Sequence, residues 1–273
     1  MKIIACFLLT ITVHTISAQN LKVMTYNIRL DYSADGKNEW SDRKEKLLSQ
    51  VQFFEPDIMG IQEGLPHQVA YLDTGLSQYK YIGVGRDDGK SKGEFSAIYY
   101  KSSLELLQSG TFWLSPTPEK PSKGWDAALP RICTYGLFET SSGHAYWVFN
   151  THFDHRGEQA RVESMKVILS KIEELNTENF PVIVMGDLNV TPDEAPILEM
   201  KQQLSDTRDI AKVVYGPDAT FNAFQFDETP TRRIDYIAVS NQIIVEKYAV
   251  LTGSFEQKYI SDHFPVYCEI GVK

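Results

Sequence analysis

The chain has 273 residues, 42% of them hydrophobic and 12% aromatic, which is enough to bury a substantial core in one large domain. A formal charge of −9 excludes the broad positive field that holds a long polyanion, although a local basic rim could still steer a phosphate. Of the three cysteines only Cys133 and Cys268 lie beyond the N-terminal apolar stretch, too few for a thiolate zinc site.

Residues 1–18 read as a secretory signal peptide, because Lys2 precedes an uncharged stretch too short to span a bilayer that ends in Ser17-Ala18-Gln19. Its removal takes Lys2 and no acid, moving the charge from −9 to −10. Residues 19–273 are then expected to form a single secreted or periplasmic domain, monomeric and without stable membrane insertion.

A strand-like run at residues 21–28 opens the domain. Ser41 is placed to cap a helix whose Leu47, Leu48, Val51 and Phe54 share one face, and Pro56 closes it. Strand-like runs follow at 57–61, 95–100, 104–112, 131–138 and 145–151. The spacing of Val162, Met165, Ile168, Leu169, Ile172 and Leu175 predicts a helix over 161–175, its apolar stripe facing the core. After a run at 181–185, Thr191-Pro192 reads as a cap and first-turn proline opening a short helix towards Met200. The last runs are 233–239, 243–251 and 264–270. Strands that alternate with helices in one part and cluster as hairpins in another imply an α/β sandwich with mixed sheets. Cys133 and Cys268 fall in separate runs and are expected as two buried thiols, although export would permit a bond between them.

Polar groups gather at the ends of these runs, where α/β sandwiches collect catalytic side chains. Asn27 and Glu63 each follow an apolar strand, Glu94 opens one and His152 ends one. Asp187 and Asn189 lie two apart, so a strand continuing through them would point both at one ligand, and Gly186 would let the backbone turn closely around it. Asp235 sits inside an otherwise apolar strand and needs a partner, for which an imidazole is a good candidate. Asp262-His263 completes the set.

Phosphoester hydrolysis needs charge compensation on the leaving oxygen, an aligned water and a proton route. A divalent cation held by Asn27, Glu63 and Asp262 would supply the first, Asp187 and Asn189 the second, and two imidazoles steered by carboxylates the third. Oxygen ligands favour Mg²⁺, with Mn²⁺ as the other hard cation to consider. The run His152-Phe153-Asp154-His155 offers a zinc-like nitrogen pair but lacks the distant partners of a two-metal centre.

Tyr26-Asn27-Ile28-Arg29, Gln62-Glu63, Asn150-Thr151-His152, Gly186-Asp187-Leu188-Asn189, Arg233-Ile234-Asp235-Tyr236 and Ser261-Asp262-His263 resemble, in order, the motifs of the endonuclease/exonuclease/phosphatase superfamily. The resemblance implies the DNase I-like fold: a four-layer α/β sandwich with two mixed sheets face to face, helices outside and the site at one end. It further implies that Asn27, Glu63 and Asp262 surround the metal and that Asp187 and Asn189 orient water and phosphoryl oxygens. Asp235 would hold His263, His152 would contact the phosphate or help the leaving group, and Glu94 would support His152. Either Asp187 or His263 could be the base, with Asp187 preferred.

A long loop runs from Trp113 through Trp125 to Arg131 and could cover the phosphate or simply be stapled to the body by its tryptophans. Arg131, Arg232, Trp125 and His155 are the candidate substrate contacts. The reading is a metal-dependent phosphoesterase acting on a compact phosphoester. Its alternatives are a secreted DNase- or RNase-type nuclease acting on nucleic acid, and a non-catalytic ligand-binding protein on the same scaffold.

Overall fold

The computed structural model describes residues 20–273, so the expected signal peptide lies outside the described residues. The first half of the chain runs β1 (Leu21–Asn27), α1 (Trp40–Phe54), β2 (Ile58–Gln62), α2 (Pro66–Gly75), β3 (Tyr79–Ile82), β4 (Ile98–Lys101), β5 (Glu105–Trp113), β6 (Ile132–Glu139) and β7 (Ala145–His152). The second half runs α3 (Glu158–Leu175), β8 (Val182–Asp187), α4 (Ala195–Met200), β9 (Ser205–Asp206), α5 (Thr207–Ile210), β10 (Val213–Tyr215), β11 (Asp235–Val239), β12 (Ile243–Val250), β13 (Ser254–Phe255), β14 (Lys258–Tyr259) and β15 (Val266–Val272).

These strands build a seven-stranded sheet, ordered β10-β12-β15-β1-β2-β4-β3, and a six-stranded sheet, ordered β5-β6-β7-β8-β11-β9. Both are mixed: β1 and β2 are parallel, as are β7 and β8, while β15 and β11 run antiparallel to their neighbours. The sheets meet over Val23, Ile58 and Val266 from one side and Val148, Ile183 and Met185 from the other. Helices α3 and α4 cover the outer face of the six-stranded sheet through Met165, Ile168 and Ile197. Helices α1 and α2 cover the other through Leu47, Val51, Val69 and Leu72. The result is the expected four-layer sandwich, and each large aliphatic side chain it buries contributes about 1.5–3 kcal/mol.

Asn150, fully buried in β7, joins the two sheets with hydrogen bonds instead of apolar contact. Its amide donates to the carbonyls of Ile61 and Ala97, both at 2.9 Å, and its oxygen accepts from Gln62 Nε2 at 2.7 Å. Gly60 makes room for it, since a Cβ there would lie 2.5 Å from Asn150 Oδ1.

Several local expectations differ from the structure. Ser41 does not cap α1 but lies within it: the helix begins at Trp40, with Glu39 in the flanking position and no side-chain cap bond. The buried Trp40 ring, packed edge-on to Tyr71 at 5.7 Å, sets that start by tertiary packing. Thr191-Pro192 forms a turn, tied by the Thr191 N–H to Glu194 Oε1 at 2.6 Å, and Pro196 is the proline in the first turn of α4. Helix α2 and strand β3 have no counterpart in the predicted elements, because α2 buries only Gln68, Val69 and Leu72 and the ends of β3 are at most half-buried. Cys133 and Cys268 are free buried thiols on β6 and β15. Among the described residues, no helix is long and apolar enough to cross a membrane.

Replacing Asn150 by alanine removes three buried hydrogen bonds across the seam, to the Ile61 and Ala97 carbonyls and from the Gln62 amide, at a cost of about 3 kcal/mol. Urea denaturation measures this directly; an unchanged midpoint would mean the Asn150 clip does not hold the sheets.

Candidate active site

Strand register brings the polar groups to one end of the sandwich. Parallel β1 and β2 finish side by side at Asn27 and Gln62, with Glu63 next in the chain, and parallel β7 and β8 finish side by side at His152 and Asp187. Antiparallel β11 starts at Asp235 directly opposite Asp187. Asp262 and His263 arrive on the segment that enters β15 beside β1.

Asn27 lies at the centre. Its Nδ2 donates to Glu63 Oε1 at 3.1 Å and to Asp187 Oδ2 at 3.0 Å, and lies 3.5 Å from His263 Nε2. Its Oδ1 accepts the Arg29 backbone N–H at 3.0 Å. In this arrangement Asn27 presents its nitrogen, not the oxygen expected of a metal ligand, to the acids. Glu63 and Asp262 each lie within ion-pair range of the same Arg29 nitrogen, at 4.0 and 3.7 Å, while Arg29 is held by two 2.8 Å bonds to Asp35.

Three non-glycine residues here take the left-handed backbone: Arg29 (φ 55°), Glu63 (φ 63°) and Asn189 (φ 53°). Such positions cost on the order of 1–3 kcal/mol each and persist only where the surroundings hold them. Glu63 Oε2 accepts the Leu30 N–H, and the Arg29 carbonyl accepts from Gln68 Nε2 and Arg43. The Asn189 N–H is accepted by Asp187 Oδ1 at 2.9 Å. Strand β8 therefore stops at Asp187, and a turn, not a continuing strand, brings Asp187 and Asn189 together. Gly186 has a different role from the one expected: at φ 145°, its missing Cβ lets β8 approach the Thr151 carbonyl, which a Cβ would meet at 2.0 Å.

Two histidines flank Asp187. His263 Nδ1 lies 2.8 Å from Asp235 Oδ2, and its Nε2 lies 3.7 Å from Asp187 Oδ2. His152 Nε2 lies 3.4 Å from Asp187 Oδ2 and 3.2 Å from Asn189 Nδ2. An Asn189 N–H donated to Nε2 leaves the His152 proton on Nδ1, which faces Glu94. Glu94 does not hydrogen-bond His152 as expected: it stands 3.9 Å away because its two oxygens are taken by Arg86, at 2.6 and 2.8 Å.

Burial sets the protonation of the group. It pushes Asp187 up to about 7, with the Asp235 charge adding and that of His263 opposing. It pushes Asp262 up to about 6, opposed by His263 and Arg29 and reinforced by Glu63. Burial also favours a neutral His263, but the Asp235 and Asp187 charges and the Asp235 hydrogen bond outweigh it and push His263 up to about 10. His152 has no such support, so burial, with Arg131 and Arg86 nearby, holds it well below the usual imidazole range. More acid is buried here than Arg29 and His263 neutralise, and that surplus suits a cation. The oxygens of Glu63 and Asp262, adjoining Asn27, are the set best suited to one. Asp187, Asp235 and His263 also converge within 4.8 Å, but there the His263 Nδ1 and an Asp235 oxygen are already bonded to each other.

The site opens into a cleft of about 300 Å³. Leu30, Leu129, Phe221 and Ile234 form its apolar lining, and Arg131, His155 and Arg232 also border it. Arg232 lies over the Phe221 ring at 5.6 Å, and that ring packs against His263 at 4.9 Å. Trp125, an expected substrate contact, does not line the cleft. Its loop is fixed by Asp126, which accepts the Ala160 and Gln159 N–H groups at the start of α3, and by Trp113 Nε1 bonded to the Arg86 carbonyl. What the loop delivers to the cleft is Leu129 and Arg131. Leu129 and Phe221 carried no signal in the sequence, as single apolar residues in loops; Arg29 stood inside a quoted motif without a role.

In the metal-free protein His263 binds its proton more tightly folded than its ordinary value of 6.5. Its contribution to stability is therefore fully present below about pH 6.5 and fades as the pH rises towards 10. Asp235→Asn should return the His263 NMR titration towards or below 6.5 and flatten that pH dependence. A wild-type His263 that titrates near 6.5 would contradict the pairing.

The fold has clear relatives. Residues 24–263 match the model of the Endonuclease/Exonuclease/phosphatase family. A protein of that family from Bacteroides thetaiotaomicron superposes with a TM-score of 0.90 at 39% identity, covering 94% of this chain and 99% of its own. A mannosyl-6-phosphatase from the same organism does so with a TM-score of 0.88 at 41% identity, covering 92% of this chain and 99% of its own. Human tyrosyl-DNA phosphodiesterase 2 is 27% identical over 155 residues, which is 56% of this chain and only 38% of that protein's length. The chain belongs to the endonuclease/exonuclease/phosphatase family.

Proposed function

We propose that this chain is a divalent-metal-dependent phosphoesterase that hydrolyses a compact phosphomonoester by in-line attack of water, and that it acts after export. The observation that carries the reading is the convergence of Glu63, Asp187 and Asp262 with His152 and His263 at the floor of a cleft of about 300 Å³. That volume suits a small ligand, and the net charge of −9 disfavours a long polyanion. Similarity to a mannosyl-6-phosphatase along nearly the whole chain supports a phosphorylated sugar as the substrate class.

Each residue has a task in this reading. Glu63 and Asp262, adjoining Asn27, would hold Mg²⁺ or Mn²⁺, which when bound supplies charge compensation at a phosphoryl oxygen. Asp187 is the base: it lies between both imidazoles, and Asn189 and Asn27 fix its two oxygens. Asp235 keeps His263 charged, so that its Nε2–H donates to a phosphoryl oxygen. Neutral His152, steadied by Asn189, contacts the phosphate on the leaving-group side.

A nuclease is the second reading, favoured by the partial similarity to tyrosyl-DNA phosphodiesterase 2. Its signature is a steep loss of affinity with salt, whereas a small substrate gives a shallow one.

Mannose 6-phosphate, phenyl phosphate and a short single-stranded DNA, each with and without EDTA, form the test panel. Turnover of a monoester should vanish with EDTA and return with Mg²⁺ or Mn²⁺. Asp187→Ala and His263→Ala should each lower kcat by about 10³-fold or more with circular dichroism unchanged. Undiminished turnover in both variants would sink the mechanism, and absence of metal-dependent turnover across the panel would leave a binding protein.

A further inference from the structure

Arg131 lies at the end of the long loop, only 4% exposed, in a position that fixes all but one of its donor nitrogens. Its Nε bonds Asp154 Oδ2 at 3.3 Å and one terminal nitrogen bonds His155 Nδ1 at 3.0 Å. The other terminal nitrogen is buried and makes no hydrogen bond, although Arg131 borders the cleft. A buried guanidinium N–H without an acceptor is costly, of the order of 1–3 kcal/mol, unless a ligand completes it.

The neighbouring imidazole is constrained by the same pair. A guanidinium has no acceptor, so Arg131 must donate and His155 Nδ1 must be unprotonated. The His155 proton is therefore on Nε2, and burial together with the Arg131 charge keeps the ring neutral by holding it below the usual range. Asp154 secures the base of this arrangement by accepting the backbone N–H groups of Leu129, Arg156 and Gly157 at 3.2, 3.0 and 2.9 Å. At this wall, which both side chains border, two donors are left without a protein acceptor among the described residues: the buried Arg131 N–H and the His155 Nε2–H.

We infer that Arg131 and His155 are specificity-determining residues that read hydrogen-bond acceptors on the leaving group, selecting a polyhydroxylated phosphomonoester over an apolar one. This rests on the phosphomonoesterase reading above and adds what that reading leaves open, the feature of the leaving group that is recognised. A sugar hydroxyl or ring oxygen supplies such an acceptor and phenyl phosphate does not. Contacts to the unreactive part of the substrate bind ground and transition states alike, so their loss raises KM and leaves kcat in place.

The experiment compares wild type, His155→Phe and His155→Gln on mannose 6-phosphate and phenyl phosphate with saturating Mg²⁺. His155→Phe should raise KM for mannose 6-phosphate by about tenfold, the worth of one hydrogen bond, and leave kcat and the phenyl phosphate KM within about twofold. His155→Gln can still accept from Arg131 and donate to the substrate, and should recover most of the lost affinity. Equal losses on both substrates, or a glutamine variant as impaired as the phenylalanine one, would overturn the assignment. If wild type hydrolyses neither ester, the phosphomonoesterase reading itself falls and takes this inference with it; turnover with no discrimination sinks the inference alone.

Discussion

One amide, that of Asn27, reconciles two demands at the seam between the sheets. It ends a strand of one sheet and donates 3.0 Å across the sandwich to Asp187, which ends a strand of the other, while also donating to Glu63. Carboxylates buried at such a seam repel one another and resist desolvation. The protein offsets this with neutral N–H donors, one arginine tethered by Asp35 and one imidazole tethered by Asp235. The offset is incomplete, as the upward shifts of Asp187 and Asp262 record. A site with negative charge left over, held rigid by its neighbours, is organised to receive a cation.

The same economy explains the backbone. Arg29, Glu63 and Asn189 hold conformations that side chains other than glycine resist, and each is over-determined by hydrogen bonds: the Arg29 and Asn189 N–H groups donate to Asn27 Oδ1 and Asp187 Oδ1, Glu63 Oε2 accepts the Leu30 N–H, and the Arg29 carbonyl accepts from Gln68. Just behind them Asn150 clips the sheets together, so the strand ends cannot drift apart. Strain is placed where the structure around it is stiffest.

Much of this was legible in the sequence because its signals are local. Apolar runs ending in Asn27, His152 and Asp187 mark strand ends, and an acid in the apolar run around Asp235 demands a partner, which is His263. What was not legible depends on distant neighbours. Ser41 looks like a cap, but Trp40 packing decides where the helix starts. Glu94 looks like the support of His152, yet Arg86, eight residues upstream, claims both of its oxygens. Gly186 suggests room for a ligand, whereas it makes room for Thr151 of the adjoining strand. The cleft's apolar lining, Leu129 and Phe221, comes from loops without periodicity, so no pattern announces it.

The central claim is that separated acids form one cation-holding centre, and locating the cation tests it most directly. Crystals soaked in Mn²⁺ and measured at a wavelength sensitive to manganese should give an anomalous peak within about 2.0–2.6 Å of carboxylate oxygens of both Glu63 and Asp262. A peak among Asp187, Asp235 and His263 instead, or none in the cleft at saturating Mn²⁺, would contradict the account.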